Sequence, residues 1–252
     1  MRLLLAAIGM TLAIGAFAGQ CTATSGAHTA ALVELYTSEG CSSCPPADRW
    51  LSGLANYRGQ LVPLALHVDY WDYIGWKDRY AKGEFSSRQR KLTQLQRRAL
   101  VYTPQVLLQG REFRGWGSPA FDAAVTAINA QPARASIALT ITGLASDRMD
   151  LEIKAALNDP GDKDAVLYVA AYENKLSSDV SSGENRGRRL AHDYVVLEWQ
   201  GPMALGASPL AERRSLPLLP KAVPAHSGAA AFVQNRRTGE VLQALMLPAC
   251  PA

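Results

Sequence analysis

The sequence predicts an α/β protein in two parts: a mixed α/β sandwich domain over residues 30–132, then a β-rich, sandwich-like domain over residues 133–250. Three observations carry that reading. Apolar, strand-like runs alternate with stretches of helical spacing through the first part, an order that stacks helices on a sheet. After Gln131-Pro132 the pattern changes to alternating or apolar runs separated by Gly, Asp and Pro turns, which suits a small antiparallel sandwich. Between the first strand and the first helix lies Cys41-Ser42-Ser43-Cys44, a pair of thiols at a strand-to-helix junction.

The elements follow in order. Residues 20–30 are small and polar and read as a flexible leader. Residues 31–37 form an apolar run stopped by Ser38-Glu39-Gly40, a buried strand ending in a turn. Pro45 and Pro46 suit the first turn of a helix, where a missing N–H costs nothing, and Ala47, Trp50, Leu51 and Leu54 keep its spacing. Residues 61–68 are the next strand. Residues 78–99 read as a charged helix with Phe85, Leu92, Leu95 and Ala99 as its apolar side. A short strand at 105–109, a turn at Gly110 and a hairpin partner at 111–116 precede a helix that starts at Ser118-Pro119. Further strands are expected at 134–142, 148–157, 164–173, 193–200, 228–236 and 240–247, the last two joined by a hairpin connection over 235–239.

At 252 residues the chain can bury a sizeable core. A net charge of +4, with no long Lys/Arg block, gives no reason to expect nucleic acid as a partner. Met1-Arg2 leads into an apolar run, Leu3 to Ala18, that is too short to span a bilayer comfortably. It ends in Ala16-Phe17-Ala18, a small-x-small cleavage site, so residues 1–18 read as a signal peptide and no integral membrane span is expected after its removal. The protein is then exported, periplasmic or secreted. Gln20 stands where a small residue would precede a lipidated Cys21, which argues against a lipid anchor.

Export places the four cysteines, Cys21, Cys41, Cys44 and Cys250, where disulfides persist. Three pairings are open; Cys41–Cys44 is the local one, and Cys21–Cys250 would staple the two chain ends. At a helix start, unpaired backbone N–H groups and the helix dipole favour an anion, so a thiol there is partly ionised and reactive. Cys41 is expected as the exposed nucleophile and Cys44 as the resolving thiol one turn on. Two other readings share these residues. The bond is a passive structural disulfide, or the two thiolates hold copper(I) or zinc, with His67 joining from the next strand; no second Cys-x-x-Cys supports a zinc site.

Residues 33–37 leading into Cys41-Ser42-Ser43-Cys44-Pro45-Pro46-Ala47-Asp48, with His67-Val68-Asp69-Tyr70-Trp71-Asp72 and Val101-Tyr102-Thr103-Pro104-Gln105, resemble the secreted, largely bacterial family catalogued as domain of unknown function 1223, within the thioredoxin-like superfamily. Gly183-Glu184-Asn185 and His192 extend the likeness into the second half. The resemblance implies a thioredoxin-like domain over residues 30–132 and a cis-proline opposite the thiols, at Thr103-Pro104, where Thr103 would pair with a bound substrate strand. It also implies a buried acid on the strand before the active site, for which Glu34 is the counterpart; the other reading of Glu34 is a solvent-facing strand residue. Ser-Ser between the cysteines, the long 78–99 stretch and the downstream domain all depart from thioredoxin.

Tyr70 and Trp71, with Asp69, Asp72 and Trp76, follow a strand end, the edge at which α/β sheets bind ligands; they either rim the thiol site and contact substrate or pack a loop. His67 reads as a packed strand residue. Arg186, Arg188 and Arg189, near His192, form either an anion or partner site or a solvated turn. The expected function is thiol–disulfide exchange on an exported protein or peptide, with no organic cofactor because the cysteines are themselves the redox centre. The alternatives are a copper(I)-handling protein using the same thiols and a non-enzymatic binding module.

Overall fold

A computed structural model describes residues 21–57, 59–159, 161–220 and 222–250; the expected signal peptide lies outside the described residues. The protein is mixed α/β, mostly sheet with three α-helices among the described residues. The first strand, β1 (Cys21–Thr24), corrects the expectation of a flexible leader: it pairs antiparallel with a strand of the second half, Cys21 opposite Ile141, and Cys21 is tied to Cys250 by a disulfide.

Strands β2 (Ala31–Thr37) and β3 (Leu61–His67) are buried along their whole length, as continuous apolar runs covered on both faces should be. They run parallel, from Ala31 opposite Leu61 to Thr37 opposite His67. The crossover between them is α1 (Pro45–Ser52), followed by a 3-10 turn at Gly53–Tyr57. Then come α2 (Gly83–Leu95), β4 (Gln105–Leu108), β5 (Arg111–Glu112) and α3 (Pro119–Asn129). β4 pairs antiparallel with β2, and β5 with β4.

Alternation along β2 sorts its side chains to two faces. Val33 and Leu35 belong to one apolar cluster with Ala47 and Leu51 of α1 and Phe121 and Val125 of α3. Leu32 and Tyr36 belong to another with Phe85 and Leu92 of α2. The helices therefore flank the sheet, α1 and α3 on one side and α2 on the other.

Among its described residues the second half adds nine strands: β6 (Ala135–Leu144), β7 (Arg148–Leu157), β8 (Ala165–Glu173), β9 (Leu176–Asp179), β10 (Arg189–His192), β11 (Val195–Ala204), β12 (Leu210–Pro217), β13 (Ser227–Asn235) and β14 (Val241–Pro248). Four of them extend the first sheet instead of forming one of their own. The order is β14-β13-β8-β11-β3-β2-β4-β5, with β11 laid against the edge of β3 at Val195 and Ala65. That contact gives the open edge of β3 a partner. Chain from both sides of the expected boundary at residue 132 thus shares one sheet. A second sheet, β1-β6-β7-β12, packs Ile137, Leu139, Met149, Leu151 and Leu216 into the α1/α3 cluster. β9 and β10 form a separate hairpin. Among the described residues, no helix is long and apolar enough to cross a membrane.

Arg88 of α2 joins the halves. Its guanidinium makes a bidentate pair with Glu34 at 2.6 and 3.1 Å and lies 4.8–5.0 Å from the ring centroids of Tyr168, Trp199 and Phe232. Glu34 is completely buried and Arg88 nearly so. Removing one member of such a pair strands a charge, whereas replacing both by apolar groups does not. Arg88→Met is expected to lower unfolding free energy by about 3 kcal/mol, and the Glu34→Leu/Arg88→Met double variant to recover most of that loss. Urea denaturation of the three proteins checks this; a double variant as unstable as the single one would contradict it.

Candidate functional site

All four cysteines are paired, Cys41 with Cys44 and Cys21 with Cys250. After β2 the chain turns tightly: the Cys41 N–H donates to the Ser38 carbonyl at 3.1 Å and the Cys44 N–H to the Cys41 carbonyl at 3.2 Å. Cys44 is the N-cap of α1, its carbonyl accepting from the N–H groups of Ala47 and Asp48 at 2.9 and 3.1 Å. Pro45 and Pro46 fill the first helical positions, where no intrahelical donor is needed. The disulfide therefore stands at the helix start, as the strand–Cys-x-x-Cys–Pro-Pro order predicts.

Its exposure is a correction. Cys41 and Cys44 are fully buried, at 0% accessibility, while Ser42 and Ser43 between them are exposed. The cover is the 180–188 loop that connects β9 to β10. The Asn185 carboxamide donates to the carbonyls of Glu39 and Cys41 at 2.8 and 2.9 Å. The Glu184 carboxylate accepts the Ser42 N–H at 3.0 Å, and the Ser182 hydroxyl bonds to the Gly75 carbonyl. Gly183 has φ +73°, and a Cβ there would sit 3.1 Å from Ile74 and 3.4 Å from Trp76, so a glycine lets the loop close. Arg186, Arg188 and Arg189 are all exposed, and Arg188 braces Asn185 by donating to its Oδ1 at 3.1 Å.

The other expected residues are partly assembled. The Thr103–Pro104 bond is cis, the form the resemblance implies. Trp71 links it to the cysteine loop: its indole N–H donates to Thr103 Oγ1 at 2.7 Å, and its Cβ lies 3.0 Å from where a Cβ on Gly40 would stand. Tyr70 is half-buried and turns to α2, donating to Gln89 Oε1 at 3.2 Å; Gln89 in turn donates to the Tyr102 carbonyl at 2.9 Å. Glu34 is buried, not solvent-facing, but it does not adjoin the thiols. By strand alternation it faces α2 and Arg88, on the opposite side of the sheet from α1.

The acids behind the disulfide are different ones. Glu39, Asp48, His67, Asp78 and His192 are all buried and contact one another. His67 Nδ1 lies 2.7 Å from Asp78 Oδ2. His192 Nε2 lies 3.2 Å from Glu39 Oε1, and its Nδ1 4.0 Å from Asp48 Oδ2. The two imidazoles meet edge to face, with centroids 4.9 Å apart. Trp76 donates to Glu39 at 2.8 Å. Sequence reasoning gave Asp48 and Asp78 no role; the available signal was that Asp48 falls one helical turn beyond Cys44. Among the described residues, no group of three or more His, Cys, Asp or Glu side chains is arranged to hold a metal ion.

Burial is the largest influence on Glu39, Asp48, His67 and Asp78. It raises Asp48 above its ordinary value, with His192 and His67 opposing. Glu39 ends below its ordinary value despite burial, because His192 and Trp76 bond its carboxylate. Burial opposes charge on His67, yet Asp78 holds it above its ordinary 6.5; burial likewise opposes charge on Asp78, yet His67 holds it below its ordinary 3.8. The raised histidine stabilises the fold fully below pH 6.5, and that contribution is lost as pH climbs through its folded value. The depressed carboxylate stabilises above pH 3.8 and fails as pH falls through its own. Denaturation midpoints are expected to plateau between these limits and fall on both sides, with His67→Gln removing the alkaline fall. An alkaline limb unchanged in that variant would contradict the pairing.

Solved structures of similar fold include protein AGR_C_4864 from Agrobacterium tumefaciens, 26% identical, with a TM-score of 0.69 over 90% of this chain and 98% of that one. HBP35 of Porphyromonas gingivalis is similar in fold, at 16% identity and a TM-score of 0.67, covering 89% of this chain and 76% of that one. Among curated proteins nothing matches the chain. A match that runs from residue 32 to residue 234, across both halves and through every residue of the covered disulfide site, places the chain in the family described as Protein of unknown function (DUF1223).

Proposed function

We propose that the chain is an exported thiol–disulfide oxidoreductase with a thioredoxin-like N-terminal part, exchanging its Cys41–Cys44 dithiol or disulfide with protein or peptide substrates. The observation that carries the reading is the position of that disulfide at the first turn of α1, between parallel strands β2 and β3. Reduction there releases two sulfurs at the N-terminal, positive end of the α1 dipole, which lowers the cost of a thiolate. A passive bond has less to offer the fold: closing a loop of only a few residues constrains the unfolded chain little. Two disulfides support an oxidising compartment.

Cys41 attacks a substrate disulfide and Cys44 resolves the mixed disulfide. Thr103 and Pro104 frame the substrate strand, with Trp71 as the wall between them and the cysteine loop. The buried resting disulfide sets one further requirement: the 180–188 loop must lift for a substrate sulfur to reach Cys41. The hold is modest, chiefly the two Asn185 bonds and the Glu184 contact.

A dithiol peptide mixed with glutathione disulfide tests the reading. The wild-type protein is expected to accelerate peptide oxidation, and Cys41→Ser to return the rate to background. Asn185→Ala, removing two hydrogen bonds worth about 1 kcal/mol each, should speed attack on the disulfide about tenfold or more. A wild-type rate no higher than that of Cys41→Ser would overturn the proposal and leave the disulfide structural.

A further inference from the structure

We infer that the segment docking beside Thr103–Pro104 is an acidic peptide, held by the guanidinium groups of Arg90, Arg98 and Arg114. The inference rests on the oxidoreductase reading and deepens it by naming the class of substrate. Residues 88–114, which run from α2 through the cis-proline turn to just past β5, carry seven Lys/Arg and a single acid, Glu112. The whole chain has a net charge of only +4, so positive charge is concentrated on the segment that carries Thr103–Pro104. Arg88 points inward to Glu34. The other six cations are exposed.

A run of contacts ties three of the six to the cis-proline turn. The Tyr102 carbonyl accepts from Gln89 Nε2 at 2.9 Å, Gln89 Oε1 accepts from the Tyr70 hydroxyl at 3.2 Å, and the Arg90 guanidinium lies 5.9 Å from the Tyr70 ring centroid. At its other end Tyr102 donates its hydroxyl to the Glu112 carboxylate, which also pairs with Arg98 and, at 2.8 Å, with Arg114. The Glu112 side chain is 3% exposed, Arg98 49% and Arg114 73%, so the acid is enclosed while both guanidiniums face solvent. Each guanidinium has five N–H donors in a fork that matches a carboxylate. Two of them sharing one acid leave most of those donors to a ligand.

The carboxylates around the disulfide are engaged by the protein's own donors: Asp69 by the Ser86 hydroxyl, Asp72 by the Asp78 N–H at 3.3 Å and Glu184 by the Ser42 N–H at 3.0 Å. A peptide fits the patch better than a nucleic acid does. Leu100, between Arg98 and Thr103 in sequence, is 70% exposed and offers an apolar contact to a peptide side chain. The rings beside Thr103 are half-buried and held by their polar ends, Trp71 on Thr103, Tyr102 on Glu112 and Tyr70 on Gln89. Single-stranded nucleic acid needs open rings on which to stack. Exposed charges of this kind act mainly by steering the encounter, and salt weakens them.

Dithiol peptides that are identical except for flanking residues, all Glu, all Gln or all Lys, test this on the full mature chain with glutathione disulfide as the oxidant. Oxidation rates at low peptide concentration are expected to rank Glu above Gln above Lys, with about tenfold or more between the extremes. The three rates should converge in about 1 M salt, where the screening length is about 3 Å. The Arg90→Gln/Arg98→Gln/Arg114→Gln variant should erase the ranking, and the three Arg→Lys changes, which keep the charge, should preserve it. Arg213→Gln, on the second sheet, should leave it untouched. Should the triple Gln variant fail to fold, Arg90→Gln alone is expected to cut the rate for the Glu peptide about twofold or more. Fluorescence anisotropy of labelled, cysteine-free versions of the three peptides is expected to give the same order in Kd. Equal rates for all three charges overturn the inference and leave the oxidoreductase reading standing. The expected order in Kd without turnover overturns that reading and leaves the acidic-peptide surface standing. A labelled single-stranded oligonucleotide that binds through the same arginines more tightly than the Glu peptide also overturns the inference.

Discussion

The Asn185 carboxamide, reaching across 144 residues of sequence to the Cys41 carbonyl, is the contact on which the character of the site depends. The start of α1 and its disulfide come from a local pattern that needs nothing from the rest of the chain. What the second half contributes is closure. By binding the backbone on either side of Gly40, Asn185 buries a sulfur pair that a strand–turn–helix unit alone would leave open to solvent. Cover made from hydrogen bonds and an exposed carboxylate contact can be undone at modest cost, unlike cover made from a large apolar face.

The sheet explains how that closure is held in register. Extending β3 with β11, β8, β13 and β14 fixes the hairpin that leaves β8 over the C-terminal ends of β2 and β3, which is where the cysteine loop begins. Each face of the sheet then carries its own buried ionic cluster. On the α2 side, Glu34 and Arg88 form a closed pair capped by aromatic rings. On the α1 side, three carboxylates and two imidazoles share one buried space. The first arrangement satisfies its charges; in the second, His67 Nε2 and His192 Nδ1 have no hydrogen-bond partner among the described residues.

Much of the fold was legible because the physics was local. The continuous apolar runs of β2 and β3, the proline pair opening α1 and the period-two strands of the second half all stand where their residue patterns put them. β12 escaped notice because Glu212, Arg213 and Arg214 fall in succession along it, on a sheet whose outer face is solvated. β1 is four residues with two threonines, ordered by pairing and a disulfide and not by its own propensity. The expected 78–99 helix shortens to Gly83–Leu95 because Asp78 bonds the N–H groups of Glu39 and Tyr80, and because Arg97 takes a left-handed conformation at φ 55°. In the site, Cys41, Cys44, Thr103 and Trp71 could be read as neighbours of a thiol pair. The face on which Glu34 lies follows from strand alternation only once the positions of α1 and α2 are known, and the burial of Cys41 depends on a loop far along the chain.

The equilibrium between the Cys41–Cys44 pair and a glutathione redox buffer measures most directly whether this disulfide is a working one. A reduction potential between about −270 and −120 mV, the span of exchange-active thioredoxin-like proteins, is what the account predicts. A value below about −300 mV, the region of structural disulfides in secreted proteins, would contradict it.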